Sequence, residues 1–233
     1  MANNPIRAIA FDLDGTLVDS GPSLAAAMAE ALVEVGRAPC THADALSWIG
    51  NGALMLTKRA LSNAIEPDPQ LEPQLIEQTL AAFNRCYAGH QPSPQMLYPQ
   101  VAEVLAILKQ RGYRIAVVTN KPSQFVAEIL AATGIASYVE CWYGGDCLPE
   151  RKPSPLALTT LLERWHLNPS QLLMVGDSRN DIQAAQAAGC ASVGLTYGYN
   201  YGEPIALDRP SHVYDHFNQL LALLPALTEN CAQ

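Results

Sequence analysis

The fold is organised by one stretch near the start of the chain, residues 6–20, with the sequence IRAIAFDLDGTLVDS. Its apolar first part, Ile6 to Ala10, is typical of a buried strand. Two acidic residues follow, Asp12 and Asp14, and in an extended chain they point the same way because they lie two positions apart. Gly15 then allows the chain to turn sharply. The sequence therefore predicts two carboxylates that converge at the end of a strand.

Two carboxylates this close repel each other unless a positive charge lies between them. A divalent cation is the simplest such charge, and carboxylate oxygens are ligands that suit Mg²⁺. We therefore predict a metal site at Asp12 and Asp14, with one carboxylate free to attack a substrate or to move protons. A lone Asp-x-Asp pair is also common in turns and helix caps, so the prediction depends on the rest of the chain.

Composition narrows the classes of protein to which the chain can belong. It has 233 residues, of which 49% are hydrophobic, enough for one large domain or one domain with an insertion. Its net charge is −8 and it has no Lys/Arg cluster, so we expect neither nucleic acid nor a membrane surface as a partner. No segment has about 18 consecutive apolar residues, and the first residues lack the features of a signal peptide. We expect a cytoplasmic protein whose six scattered cysteines are reduced thiols.

The periodicity of apolar residues changes along the chain. Between about residues 20 and 90 it is helical and never alternates with period two. From about residue 98 onwards, strands and helices alternate, which predicts crossover connections between parallel strands. We therefore predict an α/β fold, a doubly wound, Rossmann-like parallel sheet with an all-helical cap inserted after the first strand. The predicted core is residues 1–17 and 93–233, and the predicted cap is residues 18–92.

Polar residues follow the predicted strands at the edge where such sheets bind ligands. Thr119 and Asn120 end one strand, and Asp177 follows another, with Asp181 one helical turn later. Lys152 lies in a loop before a predicted helix. Each has an ordinary alternative, since such residues also cap helices or carry solvated surface charge. Their joint occurrence at one edge favours a single site.

Phosphoryl transfer accounts for these residues together. Asp12 would be the nucleophile that forms an aspartyl-phosphate. Asp14 would be the general acid that protonates the leaving oxygen and then the base that activates water. Thr119 and Asn120 would donate to the phosphate oxygens, and Lys152 would neutralise the phosphate and restrain the nucleophile.

The predicted Mg²⁺ site takes its ligands from two distant parts of the chain. Asp12 and Asp177 would bind with their carboxylates, and Asp14 with its main-chain carbonyl. Asp181 lies on the same helix face as Asp177 and would bind the metal through water or orient Lys152.

Four short motifs resemble those of the haloacid dehalogenase superfamily of phosphatases. Phe11 to Thr16 is similar to its first motif, Thr119-Asn120 to its second, Lys152-Pro153 to its third and Gly176 to Asp181 to its fourth. The resemblance implies Mg²⁺ as cofactor, a small phosphate monoester as substrate, and the helical cap. Dehalogenase members lack the second acid of the first motif, so the presence of Asp14 favours phosphate chemistry.

Within the superfamily, the chain most resembles the bacterial phosphoglycolate phosphatases. The similar segments are Trp48 to Gly52, Val118 to Pro122, Gly176 to Gly189 and Gly194 to Glu203. This resemblance implies hydrolysis of 2-phosphoglycolate to glycolate and phosphate. It leaves open a chloride requirement and a monomeric or dimeric state.

Substrate choice is predicted to depend on the cap. The turn Gly50-Asn51-Gly52 at a helix start offers backbone N–H groups to a small carboxylate, or is simply a turn between helices. Lys58 and Arg59 are candidates for the countercharge of that carboxylate, although most such side chains on helices are solvated.

Three other functions stay open at this stage. The chain could be a phosphatase of another small metabolite, a phosphoglucomutase-like phosphotransferase, or a binding module without turnover. The aromatic run Tyr197, Tyr199 and Tyr201 is compatible with base stacking, but with a net charge of −8 a loop packed beside the site is the favoured interpretation.

Overall fold

The computed structural model describes residues 6–227, and within them it contains one sheet of six strands, all parallel. The strands are β1 (Ala8–Phe11), β2 (Arg114–Val118), β3 (Cys141–Tyr143), β4 (Leu172–Gly176), β5 (Ala191–Leu195) and β6 (His212–Tyr214). Their order across the sheet is β3-β2-β1-β4-β5-β6. The predicted doubly wound α/β fold is confirmed, and β1 lies near the centre between β2 and β4.

The described residues also form nine α-helices. They are α1 (Gly21–Glu34), α2 (His42–Trp48), α3 (Gly52–Ser62), α4 (Pro73–Gly89), α5 (Val101–Gln110), α6 (Ser123–Ala132), α7 (Leu156–Trp165), α8 (Arg179–Ala188) and α9 (Leu220–Leu223). Helices α5, α6 and α9 cover one face of the sheet, and α7 and α8 cover the other. The sheet is therefore the middle layer of three.

Strand β1 shows why this stretch is apolar on both sides. Ile9 and Phe11 point to the core shared with α5 and α6, whereas Ala8 and Ala10 point to the core shared with α7 and α8. All four residues are fully buried. Because side chains alternate across a strand and helices cover both faces, a parallel strand of this kind tolerates no polar residue before its end.

The helices α1 to α4 lie in the chain between β1 and the rest of the sheet, and they pack on one another. The two segments that connect this helical block to the sheet run side by side and are hydrogen-bonded to each other. Asp19 N donates to Met96 O (2.7 Å), and Tyr98 N donates to Leu17 O (3.1 Å). The inserted helical cap thus leaves and rejoins the sheet side by side. Its boundaries at residues 18–92, with a core of 1–17 and 93–233, stay a prediction.

Two further expectations concern cysteines and membranes. Cys40, Cys86, Cys141, Cys147 and Cys190 are free thiols, and Cys231 lies outside the described residues. No helix among residues 6–227 is both long and apolar enough to span a bilayer.

Candidate functional site

Three buried carboxylates meet at the carboxyl ends of the two central strands. Asp12 follows β1 and Asp177 follows β4, and the two strands are neighbours in the sheet. Asp181 lies in the first turn of α8. Each residue offers a carboxylate oxygen, and these oxygens all lie within 4.8 Å of one another. The strand order therefore builds the predicted cluster from residues that lie far apart in the sequence.

The carboxylate of Asp177 is held in place from both sides. Thr16 Oγ1 donates to its Oδ1 (2.6 Å), and the backbone N–H of Tyr199 donates to its Oδ2 (2.6 Å). A Cβ at Gly15 would lie 2.3 Å from Asp177 Oδ2, and one at Gly198 would lie 2.2 Å from Asp177 Cβ. Only glycine fits at these two positions, because no real Cβ contact is that short.

Lys152 is the cation of the cluster. Its Nζ lies 3.0 Å from Asp12 Oδ1 and donates to Asp181 Oδ1 and to Val118 O, both at 2.6 Å. Burial opposes the charged ammonium, but Asp12 and Asp181 outweigh it and raise the pKa of Lys152. Asp181 also accepts from Ser178 N (3.0 Å). Asp181 therefore fixes the lysine that faces the predicted nucleophile.

The electrostatics of the cluster favour a divalent cation. Burial raises the pKa of Asp12 from 3.8 to about 7, with Lys152 opposing and Asp181 adding to the rise. Burial, and then the charges of Asp12 and Asp181, likewise raise the pKa of Asp177. Asp12 Oδ1 is buried and has no partner in hydrogen-bond geometry among the described residues. One lysine does not balance three carboxylates, and an all-oxygen donor set of this kind fits Mg²⁺.

Asp14 takes a different partner from Asp12. Its two carboxylate oxygens accept from Lys121 Nζ at 3.0 and 3.2 Å. Lys121 also donates to Tyr87 Oη (2.7 Å) and lies 4.4 Å from the centre of that ring. Burial disfavours the ammonium, but Asp14 and Tyr87 outweigh it and raise the pKa of Lys121. Sequence reasoning singled out neither Lys121 nor Tyr87, although Lys121 directly follows the second motif.

The second motif contacts both the cap and the third motif. Asn120 Nδ2 donates to Lys152 O (2.9 Å) and to Gly50 O (3.0 Å), and its buried Oδ1 has no partner among the described residues. Thr119 Oγ1 accepts from Lys121 N (3.2 Å), so its own hydroxyl hydrogen is free to donate. Thr119 and Asn120 therefore still offer polar groups to a ligand.

The turn Gly50-Asn51-Gly52 before α3 lies at the site, but the side chain of Asn51 binds the core instead of facing the cavity. Asn51 Nδ2 donates to Asn180 Oδ1 (3.1 Å), and Asn51 Oδ1 accepts from Tyr201 Oη (2.6 Å). Asn51 therefore makes no side-chain cap of α3. Gly50 and Gly52 line the cavity above Asp12, whereas Asn51 and Lys58 are not among its lining residues.

Arg59, the other candidate countercharge, has a structural role in the cap. Its guanidinium donates to Trp48 O (2.9 Å) and Ile65 O (2.8 Å) and is buried. It also lies 4.9 Å from the centre of the Tyr201 ring. These contacts fix the loops at both ends of α3, and Arg59 does not line the cavity.

The tyrosine run packs beside the site, as the sequence favoured. Tyr197 Oη donates to Thr16 O (2.9 Å), and Tyr199 Oη accepts from Gly21 N (2.8 Å) and donates to Asp19. The run therefore ties the loop after β5 to the turn after β1.

The site is completed by a small cavity of about 40 Å³ between cap and core. Its core side has Asp12, Asp14, Thr119, Asn120 and Lys121, and most of its remaining wall is apolar. The apolar lining residues are Leu24, Ile49, Ala53, Leu56, Phe83, Pro122 and Phe125. One water needs about 10–15 Å³ measured in this way, so the cavity suits only a small ligand.

Comparison with known proteins identifies relatives over nearly the whole chain. A family model for haloacid dehalogenase-like hydrolases matches residues 6–189. A phosphoglycolate phosphatase of Vibrio vulnificus (strain CMCP6) is 49% identical over 223 residues, which are 95% of this chain and 97% of that protein. One of Photobacterium profundum is 50% identical, covering 93% and 94% of the two chains. The crystal structure of a predicted phosphoglycolate phosphatase from Haemophilus somnus 129PT has a TM-score of 0.87 at 42% identity, with 96% and 99% covered.

Proposed function

The chain belongs to the haloacid dehalogenase-like hydrolase family and is a phosphatase, and on that premise we propose that it hydrolyses 2-phosphoglycolate to glycolate and phosphate. The proposed reaction depends on Mg²⁺ and passes through an aspartyl-phosphate at Asp12. The observation that carries the mechanism is the buried cluster of Asp12, Asp177 and Asp181 opposed by Lys152, in which Asp12 also lines the cavity between cap and core.

In this mechanism Asp12 attacks the phosphorus and the substrate oxygen leaves. Lys152 fixes the attacking carboxylate and neutralises the phosphate. Asp14 gives a proton to the leaving oxygen and then takes one from the water that hydrolyses the aspartyl-phosphate. Thr119 would donate to the phosphate oxygens with its hydroxyl and Asn120 with its backbone N–H, because the side-chain amide of Asn120 already donates to Lys152 O and Gly50 O. The cap residues that line the cavity would limit contact with bulk water during the first step.

The residues proposed to hold Mg²⁺ are Asp12 and Asp177, through their carboxylates, and Asp14, through its main-chain carbonyl. When bound, the metal supplies positive charge that offsets the carboxylates and the charge on the transferred phosphoryl group. Asp181 would act from outside the ligand set by orienting Lys152, which agrees with their 2.6 Å contact. A chloride ion, a cytoplasmic location and a monomeric or dimeric state stay predictions.

Two observations support 2-phosphoglycolate among small phosphate esters. The relatives at about half identity carry that name over more than 90% of both chains. The cavity between cap and core is small and mostly apolar, which fits a two-carbon leaving group better than a sugar.

The test is phosphate release from a panel of monoesters with Mg²⁺ present or removed by EDTA. The panel contains 2-phosphoglycolate, 2-hydroxyethyl phosphate, glucose 6-phosphate and β-glucose 1-phosphate. We expect the highest kcat/KM for 2-phosphoglycolate and none without Mg²⁺. Conversion of β-glucose 1-phosphate to glucose 6-phosphate without phosphate release would instead indicate a phosphotransferase. Substantial turnover by Asp12→Asn would contradict the aspartyl-phosphate.

A further inference from the structure

One cation faces the cavity without a task in the mechanism. Among the residues described as lining the cavity, Lys121 is the only one with a cationic side chain. Its side chain is 2% exposed, and burial of an ammonium group is costly unless it is paired. Lys152 approaches Asp12 but is not among the residues that line this space. Lys121 is therefore the positive charge that a bound leaving group would meet.

Lys121 and Tyr87 can together donate to a ligand in the cavity. An ammonium group has three N–H donors, and that of Lys121 contacts three acceptor atoms, the two carboxylate oxygens of Asp14 at 3.0 and 3.2 Å and Tyr87 Oη at 2.7 Å. Because two of these oxygens belong to one carboxylate, Lys121 can turn one N–H to a ligand and keep its contact with Asp14. The phenol oxygen of Tyr87 accepts from Lys121, and its own hydrogen is donated to no described residue. The N–H that now contacts the second oxygen of Asp14 and the O–H of Tyr87, on atoms 2.7 Å apart, can thus bind one ligand together. The two oxygens of a carboxylate match such a pair of donors.

The geometry points to Lys121 and Tyr87 as the binding seat for a carboxylate on the leaving group. This inference rests on the proposed function, because Asp14 would protonate the ester oxygen of that same group. Lys121 lies 3.0 Å from Asp14. A carboxylate on the carbon that bears the ester oxygen is therefore the one that comes next to Lys121. The preferred substrates are phosphate esters of small 2-hydroxycarboxylic acids.

Aromatic contacts hold the phenol in this position. The ring of Phe83 stacks on that of Tyr87 at 5.8 Å, and the ring of Phe125 meets it edge-on at 5.0 Å. Tyr87 belongs to α4 of the cap, whereas Lys121 and Phe125 belong to the core. The seat therefore exists only when cap and core are together. The apolar wall around it offers no partner for a second charge, which disfavours larger polar leaving groups.

The test compares two substrates of similar size and different charge. We would measure kcat/KM for 2-phosphoglycolate and for 2-hydroxyethyl phosphate, in which a neutral CH₂OH replaces the carboxylate. The variants are Lys121→Met and Tyr87→Phe, with the exposed Lys109→Met as the matched control. Lys58→Met tests the alternative that Lys58, on α3, is the countercharge of the substrate carboxylate. The ratio of the two kcat/KM values isolates recognition of the carboxylate, because loss of the contact with Asp14 would affect both substrates.

We expect Lys121→Met to lower this ratio about 100-fold and Tyr87→Phe about 10-fold, as for lost hydrogen bonds to a charged group. Lys109→Met should leave it unchanged. Tyr87→Phe keeps the Lys121–Asp14 pair and both aromatic contacts, so it reports on the seat even when Lys121→Met does not fold. An unchanged ratio in Tyr87→Phe and Lys121→Met, or a loss confined to Lys58→Met, would overturn the seat.

Binding of glycolate, measured by titration calorimetry, separates this inference from the proposed function. Weaker binding of glycolate to Tyr87→Phe than to the unaltered protein supports the seat even when 2-phosphoglycolate is not turned over. Equal binding to the two proteins overturns the seat while leaving phosphatase activity standing.

Discussion

Replacing Asp12 by asparagine should stabilise the metal-free protein while abolishing its activity. Asparagine has the same shape as aspartate but carries no charge. In the folded protein the pKa of Asp12 is raised from 3.8 to about 7, and each unit corresponds to 1.36 kcal/mol. Keeping Asp12 ionised in the folded state therefore costs about 4 kcal/mol above pH 7. Removing the charge should recover about 2–4 kcal/mol of that cost at pH 8.

The pH dependence of this gain has a definite sign. When folding raises the pKa of a carboxyl group, the folded protein loses stability as the pH rises from the unfolded-state pKa to the folded-state pKa. The difference between Asp12→Asn and the unaltered protein should thus be close to zero near pH 3, about 1 kcal/mol near pH 4.5, and maximal above pH 7. An activity-based experiment would miss this, because the proposed mechanism predicts that the variant is inactive at every pH.

The assay is urea unfolding in EDTA at pH 4.5 and pH 8, repeated at pH 8 with Mg²⁺. A ligand at 100 times its Kd adds about 2.7 kcal/mol to the protein that binds it. Mg²⁺ should therefore stabilise the unaltered protein more than Asp12→Asn and narrow the difference. The exposed Asp215→Asn, which keeps the oxygen that accepts from Thr196, should change stability by no more than about 0.5 kcal/mol. A destabilised Asp12→Asn in EDTA at pH 8, or a gain independent of pH, would refute the reasoning.

Three further outcomes are expected. Lys152→Met should lower kcat by a factor of about 10³ or more, measured by phosphate release. It should also lower the free energy of unfolding by about 3–5 kcal/mol, measured in urea, because it leaves Asp12 and Asp181 buried without their cation. Gly198→Ala should cost about 1–3 kcal/mol and reduce Mg²⁺-dependent turnover, since its Cβ would lie 2.2 Å from Asp177 Cβ; Gly89→Ala, which has open space, should retain full activity. EDTA should abolish phosphate release, and added Mg²⁺ should restore it; activity that persists after chelation would contradict the metal site.

The core residues of the site were predictable because they follow from strand ends. A buried parallel strand is apolar on both faces, so the first polar residue marks where it ends. Asp12, Thr119 and Asp177 are such residues, and parallel strands bring their carboxyl ends to one edge. No knowledge of side-chain contacts was needed to place them together.

The pairing of cations with carboxylates was not predictable in this way. Lys121 and Lys152 both lie in loops at the same edge, and nothing in their spacing tells which one contacts Asp14. The answer depends on the path of two loops that have no periodic pattern. Tyr87 is harder still, since its helical spacing fits an ordinary core position, and only the docking of cap on core brings its hydroxyl to Lys121.

Asn51 shows a different limit of sequence reasoning. An asparagine before a helix is a common cap, and two flanking glycines favour a backbone seat for an anion. In the structure its amide is used instead by Asn180 and Tyr201. A partner 129 residues away thus displaces the local interaction, and local propensity carries no information about such a partner.

The two carboxylates of the first stretch both line the cavity at the end of β1, yet each has its own cation. Lys152, from the loop before α7, contacts Asp12; Lys121, from the end of β2, contacts Asp14. Asp12 is also drawn into the cluster with Asp177 and Asp181, and Asp14 is not. Because different environments give neighbouring carboxyls different chemistry, this division would allow Asp12 to attack while Asp14 moves protons in the proposed mechanism. Strand β1 places Asp12 and Asp14 together at its end, and the two lysines give them different electrostatic environments.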